Sequence, residues 1–319
     1  VLSGTVGRYL RVERIEFAVT YRCNSRCRHC HVDSGRRTAQ PASLDPSAAT
    51  GLVRTITRDH EVRSVMTFGG EPLLHPGTVC SIHRAATEGG VPVRQVITNA
   101  GPRAPQQFRT VARDLADSGV NDVCVSVDAF HQEHIPVEVV ASNVQALLDA
   151  GISGVRWNPA WVVSKEHDNR WNQRTRQVLA VLSHLPVGES DPLTVEPEGA
   201  ALENLAEFMP PRRTDPPGEC GDLPFTQRLD NLRDICVEPN GDIVVCHGFV
   251  IGSAADPQVA RAIRDYDPYT VPEMRALLDG GVPALADFAR SRGIEPDPAG
   301  YYSACDMCRS LRRAMARAG

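Results

Sequence analysis

The sequence predicts an α/β protein: a partial (β/α)6 TIM-like barrel over residues 1–209, followed by a small α+β extension over residues 210–319. Three observations support this. Between Arg14 and Phe208, short β-branched runs alternate with longer helical patterns, the rhythm of βαβ units. Six such units can be read, too few to close the eight of a full barrel. A stretch rich in Pro, Arg and Asp, residues 210–218, then breaks the rhythm and reads as a linker or surface loop.

The expected strands cover residues 15–20, 62–68, 93–98, 122–127, 154–162 and 193–196, and the expected helices cover 46–60, 77–88, 105–118, 138–150, 169–184 and 200–208. Punctuation supports several of them. Asp45-Pro46 opens one helix, and Gly119 and Gly151 close others. In the second region Asn240-Gly241 is a strong hairpin turn between strands at 234–238 and 242–247, and short helices lead to a last one at 306–318. Chemistry on such a sheet is expected at the carboxyl ends of the strands, where loops and helix N-termini converge.

The net charge is −5, and Lys and Arg are scattered rather than massed. A nucleic-acid partner, which demands a concentrated basic face, is therefore not expected. No apolar run reaches the roughly 18 residues of a membrane span, and the N-terminal order of a signal peptide is missing, so a cytoplasmic protein without a membrane partner is expected. Ten cysteines in such a chain point to reduced thiols and metal rather than to disulfides.

The segment Cys23-Asn24-Ser25-Arg26-Cys27-Arg28-His29-Cys30 leaves the first strand with three thiolates within eight residues. One loop can wrap them around a single centre. Three thiolates on a four-iron cluster leave one iron open to a chelating cofactor. A zinc site completed by His29 or His31 is the competing reading. The second strand ends Thr67-Phe68-Gly69-Gly70-Glu71-Pro72-Leu73-Leu74, where glycines permit close backbone approach and a carboxylate can balance an ammonium. An ordinary strand-to-helix turn is the plainer reading of that run.

These two motifs resemble the radical S-adenosylmethionine (SAM) superfamily, whose signature is CxxxCxΦC after the first strand and a GGEP run after the second. The resemblance implies a [4Fe–4S] cluster on Cys23, Cys27 and Cys30, with SAM on its open iron. His29 stands at Φ, where the family usually has Phe, Tyr or Trp, and is expected near the adenine. Gly69, Gly70 and Glu71 would hold the methionyl amino group. Thr98 and Asn99 at the third strand end, and Ser126 and Asp128, which period-two alternation places on one face of the fourth, are the further expected SAM contacts. Arg156 and Asn158 are weaker candidates for the same pocket. Loop capping competes for Thr98 and Asp128, and His131 and His134 read first as satisfied loop histidines.

The C-terminal region holds Cys220, Cys236, Cys246, Cys305 and Cys308, one more than a cluster needs. The run Pro239-Asn240-Gly241-Asp242-Ile243-Val244-Val245-Cys246 and the pair Cys305/Cys308 resemble the auxiliary-cluster extensions called SPASM and twitch domains, here in the shorter twitch form. The resemblance implies a second [4Fe–4S] cluster on Cys220, Cys246, Cys305 and Cys308. Cys236 is then the spare thiol, with the exchange of Cys220 and Cys236 as the alternative and a zinc knob as the plainer one. Cys80 and Cys124 lack cysteine neighbours and read as buried apolar thiols.

A spare thiol could return a hydrogen atom to a substrate radical, so Cys236 is the expected catalytic residue. The expected activity is therefore that of a radical epimerase acting on a small natural product, resembling the aminoglycoside (neomycin-type) epimerases. A peptide-modifying enzyme, a twitch-type alcohol dehydrogenase and a non-catalytic zinc or iron–sulfur module are the alternatives. A flavodoxin- or ferredoxin-type reductant is the expected protein partner.

Overall fold

The computed structural model describes residues 7–32, 43–101, 104–221, 226–246 and 248–318. The chain begins β1 (Leu10–Thr20), α1 (Pro46–Asp59), β2 (Ser64–Gly69), α2 (Pro76–Glu88), β3 (Val93–Thr98), α3 (Pro105–Asp117), β4 (Asp122–Val125), α4 (Val137–Asp149) and β5 (Gly154–Trp157). It continues β6 (Ala160–Trp161), α5 (Arg170–Val181), β7 (Gly188–Glu189), β8 (Leu193–Thr194) and α6 (Ala201–Asn204). The last part is β9 (Leu232–Val237), β10 (Asp242–Val245), β11 (Phe249–Ser253), α7 (Val259–Arg264), α8 (Pro272–Arg290) and α9 (Ala304–Ala318). Among the described residues no helix is long and apolar enough to cross a membrane.

One nine-stranded sheet runs β11-β10-β9-β1-β2-β3-β4-β5-β7. β1 to β5, β7 and β9 run parallel to one another, and β10 and β11 fold back as antiparallel strands. The mostly parallel α/β class is the one expected. The strands after residue 210 extend the same sheet: β9 lies beside β1, with Ile15 opposite Ile235 and Phe17 opposite Val237.

Alternation gives the sheet two unlike faces. Ile15, Phe17, Val19, Val65, Val96, Val123, Val125, Val155, Ile235 and Val237 are buried in a core shared with α1 to α5 and with α8 and α9. α1 shows why the helices lie there. Asp45 caps it by accepting the Ser47 amide at 2.9 Å, Pro46 occupies the first turn, and Ala49, Leu52, Val53 and Ile56 form one buried stripe. The opposite face carries polar side chains in a hydrogen-bonded row. Arg14 donates to Glu16 at 2.6 Å and to Gln95 at 3.1 Å, Gln95 donates to Asp122 at 2.7 Å, and Arg156 donates to Asp122 at 2.6 Å.

Four expectations need correction. The strand expected over 154–162 is two strands, because Pro159 has no N–H for the ladder and β6 leaves the main sheet. The strand expected over 193–196 is shorter and pairs with β6, while the sixth parallel position in the main sheet is taken by the two-residue β7. The helix expected over 200–208 breaks at Leu205 into α6 and a 3-10 turn at Ala206–Phe208. Where short helices were expected before the last one, α8 is 19 residues long, and it kinks at Gly280 and Gly281, with Gly281 at φ +66°. The expected hairpin forms as β9 and β10, and its last expected residue, His247, lies outside the described residues.

Phe17 is fully buried between the two strands that flank β1. Phe17→Ala should lower the unfolding free energy of the iron-free protein by about 3–5 kcal/mol, read from urea unfolding.

Candidate active site

The three N-terminal cysteines follow directly on β1. Gly69 and Gly70 seat the start of their loop: the Gly70 amide donates to the Thr20 carbonyl at 2.6 Å and the Glu71 amide to the Arg22 carbonyl at 2.9 Å. A Cβ on Gly69 would stand 2.1 Å from the Thr20 oxygen, and one on Gly70 would stand 2.3 Å from the Arg22 oxygen. The glycines were expected to admit a cofactor; what approaches them here is the backbone of β1 as it turns into the cysteine loop. The far end of the loop is held by Ala200, whose amide donates to the Cys30 carbonyl at 2.8 Å. Gly199, at φ +56°, fits where a Cβ would stand 2.4 Å from that oxygen. None of the three thiols is in a disulfide, and Cys27 is buried.

Glu71 is fully buried and accepts from the Leu73 amide at 2.9 Å, the Thr98 hydroxyl at 2.7 Å and the Asn99 amide at 2.8 Å. Burial pushes its carboxyl up to about 7, although the bonds from Asn99, Thr98 and Leu73 pull the other way. Asn99 reaches the cysteine loop, its Nδ2 donating to Asn24 at 2.9 Å and to the Cys23 sulfur at 3.8 Å. Thr98, Asn99 and Glu71 therefore form one buried unit behind Cys23.

The other expected SAM contacts are not gathered in this way. β4 stops at Val125, so the period-two argument that paired Ser126 with Asp128 lapses. The Ser126 amide donates to the Thr98 carbonyl at 2.8 Å and the residue is half-buried. Asp128 is fully buried and accepts from the Phe130, His131 and Ala160 amides and from His131 Nδ1, all at 2.9–3.1 Å. The capping reading fits this carboxylate. Arg156 turns toward Asp122. Asn158 accepts from the Ser190 hydroxyl at 2.8 Å.

His29 packs on Phe130, ring centroids 4.7 Å apart, and Phe130 packs on Trp171 at 4.9 Å. Burial lowers the His29 ring to about 4, against the pull of Asp128. His131, beside it at 5.0 Å, behaves oppositely: burial disfavours its charge, but the Asp128 carboxylate and Cys27 outweigh burial and hold its value well above the ordinary one. Among the described residues, His29, Asp128 and His131 bring ligand atoms within 4.8 Å of one another. Sequence reasoning missed this group as a unit. The Asp-x-x-His spacing of residues 128 and 131 was its one signal.

The second cysteine set is assembled from three segments. Arg213 pairs with Tyr301 through two backbone bonds of 2.9 and 2.8 Å, which lays the Cys220 segment beside the start of α9. Cys220, Cys246, Cys305 and Cys308 line one cavity with Arg309 and Arg312. Cys246 is hydrogen-bonded to Cys220 and its thiol is pushed strongly upward, first by that bond and then by burial. Burial lifts Cys305 and Cys308 to about 11 against the guanidinium groups of Arg309 and Arg312. Cys236 does not line this cavity. It lies on β9, opposite Glu16 of β1, on the polar face of the sheet. Arg309 also pairs with Glu198, the residue before Gly199.

Residues 17–173 match the family model described as the radical SAM superfamily. The chain is 28% identical over 166 residues to the GTP 3′,8-cyclase of Streptomyces coelicolor, which is 50% of this chain and 47% of that one. The chain thus spans about half the length of the curated relatives it matches. Among solved structures, native anSMEcpe with bound AdoMet superposes with a TM-score of 0.54 at 10% identity, covering 97% of this chain and 98% of that one. SuiB of Streptococcus suis bound to precursor peptide SuiA gives 0.52 at 13% identity, covering 82% and 66%. At these identities the likeness is one of fold alone.

The match over residues 17–173 implies a [4Fe–4S] cluster and SAM for this segment. The residues present fit that pair. Three thiols leave one short loop without a fourth, and His29 Nδ1 is buried beside them without a hydrogen-bond partner among the described residues.

Two outcomes follow from the site. Gly70→Ala, whose methyl group collides with the Arg22 carbonyl, should cost about 1–3 kcal/mol and lose reconstitutable iron while keeping its helical circular dichroism. For Glu71, the folded value of about 7 lies above the ordinary 4.5, so the folded chain keeps a proton that the unfolded chain releases. The stability this contributes is full below 4.5 and is lost as pH rises to about 7. The thermal midpoint of the iron-free protein should fall across that window, and Glu71→Gln should flatten the fall.

Proposed function

We propose that the protein is a radical epimerase of an amine- and hydroxyl-bearing natural product of the aminoglycoside type. Cys23, Cys27 and Cys30 would hold the [4Fe–4S] cluster, with SAM lying between it and the polar face of the sheet. When bound, cluster and SAM supply a 5′-deoxyadenosyl radical that takes a hydrogen atom from a substrate carbon. The protein's own part is to orient that carbon and to keep stray hydrogen donors away.

The observation that carries this reading is the position of Cys236. It stands apart from the four-thiol cavity, half-buried on the same face as Glu16 and Asp234. A hydrogen atom taken from one face of a carbon and replaced from the other inverts the centre. In the second step the Cys236 S–H bond breaks and the substrate C–H bond forms, leaving a sulfur radical. One electron from a flavodoxin- or ferredoxin-type reductant and one proton then restore the thiol. Cys220, Cys246, Cys305 and Cys308 would hold an auxiliary cluster, which would supply one-electron transfer chemistry there, and their shared cavity supports this assignment.

A second reading comes from the curated relatives, named GTP 3′,8-cyclase. Incubation with GTP, SAM and dithionite separates it from the first, since turnover of GTP would replace the epimerase reading.

The direct test is a reaction in D2O with a neomycin-type aminoglycoside. The inverted carbon should acquire deuterium, because a thiol exchanges with solvent. Cys236→Ala should still cleave SAM and bind iron at both sites yet give no epimer. Epimer formation by this variant at the parent rate would remove Cys236 from the mechanism.

A further inference from the structure

Arg309 and Arg312 have no part in the reading above, yet both stand in the wall of the four-thiol cavity. Among the described residues that line it, they are the charged side chains and no carboxylate is with them, while Leu277, Val282 and Ala304 make much of the remaining wall apolar. Helical spacing brings the arginines there. Cys305, Cys308, Arg309 and Arg312 fall at i, i+3, i+4 and i+7 of α9, which is one stripe of the helix, so each guanidinium follows a thiol by one turn.

Each guanidinium is held by a second contact. Arg312 is half-buried, and its guanidinium carbon lies 3.3 Å from the Phe249 ring centroid. Phe249 is opposite Val245 where β10 turns into β11, and Cys246 lies in that same turn, so the stack is fixed by the hairpin that supplies one of the thiols. Arg309 is only 16% exposed and pairs with Glu198, which divides its charge between that carboxylate and the cavity. We propose that Arg312, seated on Phe249, and Arg309, shared with Glu198, raise the reduction potential of a cluster held by Cys220, Cys246, Cys305 and Cys308. This rests on reading the four thiols as the auxiliary-cluster site.

Four thiolates give such a site a net negative charge, and one-electron reduction adds to it; net charge and exposure are what set the potential. Against an apolar wall the added charge is costly, because little water is at hand to screen it. A guanidinium keeps its proton at any ordinary pH, so it offsets that cost, and more so in the reduced state. The charge accounting is specific. Neutralising Arg312 removes a stabilising charge, whereas neutralising Glu198 releases Arg309 to the cavity. The two changes therefore move the potential in opposite directions, which a packing role alone does not predict.

The test uses the full chain, anaerobically reconstituted with iron and sulfide. A redox titration followed by electron paramagnetic resonance would track the signal whose g values stay fixed when SAM is added, which separates it from the cluster at the first cysteine loop. Arg312→Gln should retain that signal with an equilibrium constant for one-electron reduction about tenfold smaller, a shift of about 59 mV to more negative potential. Arg312→Lys, which keeps the charge, should stay nearer the parent, and Glu198→Gln should shift to more positive potential. A parent-like potential in Arg312→Gln, or equal shifts in the Gln and Lys variants, would overturn the inference. Where Arg312→Gln binds no iron at this site, Glu198→Gln decides, and an unmoved or more negative potential there overturns it as well. A parent protein that holds zinc on these four thiols would instead sink the auxiliary-cluster reading, and this inference with it.

Discussion

The backbone contact between the end of β1 and the Gly69-Gly70 pair is the constraint on which the site depends. β1 is paired on both sides, by β2 and by β9, so its C-terminal end cannot drift sideways. At Thr20 it bends out of the sheet, and only residues without a Cβ at positions 69 and 70 let it pass. Glu71 locks the same corner from below through three donors. The loop that bears Cys23, Cys27 and Cys30 therefore leaves the sheet at one defined place and angle, although nothing within the loop itself is regular.

The two faces of the sheet divide the work. One is apolar and covered by helices, which gives the strands the packing that keeps their ends in register. The other carries Arg14, Glu16, Gln95, Asp122 and Arg156 in a chain of charged and amide groups that spans four strands in the sheet. Such a row is costly to leave half-satisfied and rigid once complete. The thiol of Cys236 stands on the same polar face.

Much of this was legible in the sequence wherever the signal was local. β3 occupies the expected 93–98, and the helices of the first half match within two residues, because alternation, amphipathic stripes and Asp-Pro or Gly punctuation are short-range. The fifth and sixth strands were misread because the argument ran through Pro159 and because a two-residue strand such as β7 has no periodicity to read. The pairing of β9 with β1 joins residues more than 200 apart in the chain, which no local pattern encodes. In the site, the cysteine spacing was readable as one loop. The commitment of Asp128 to its own loop was not, since it follows from β4 ending two residues early.

The pairing of Glu198 with Arg309 joins two places that are far apart in the chain. On one side, Gly199 and Ala200 press against the carbonyl of Cys30; on the other, Arg309 forms part of the wall around Cys220, Cys246, Cys305 and Cys308. Three consecutive residues thus act as a strut between the two groups of sulfur atoms. Their spacing is set by this short span and not by the long chain between them, so any tilt of the final helix is passed on to the amino-terminal loop.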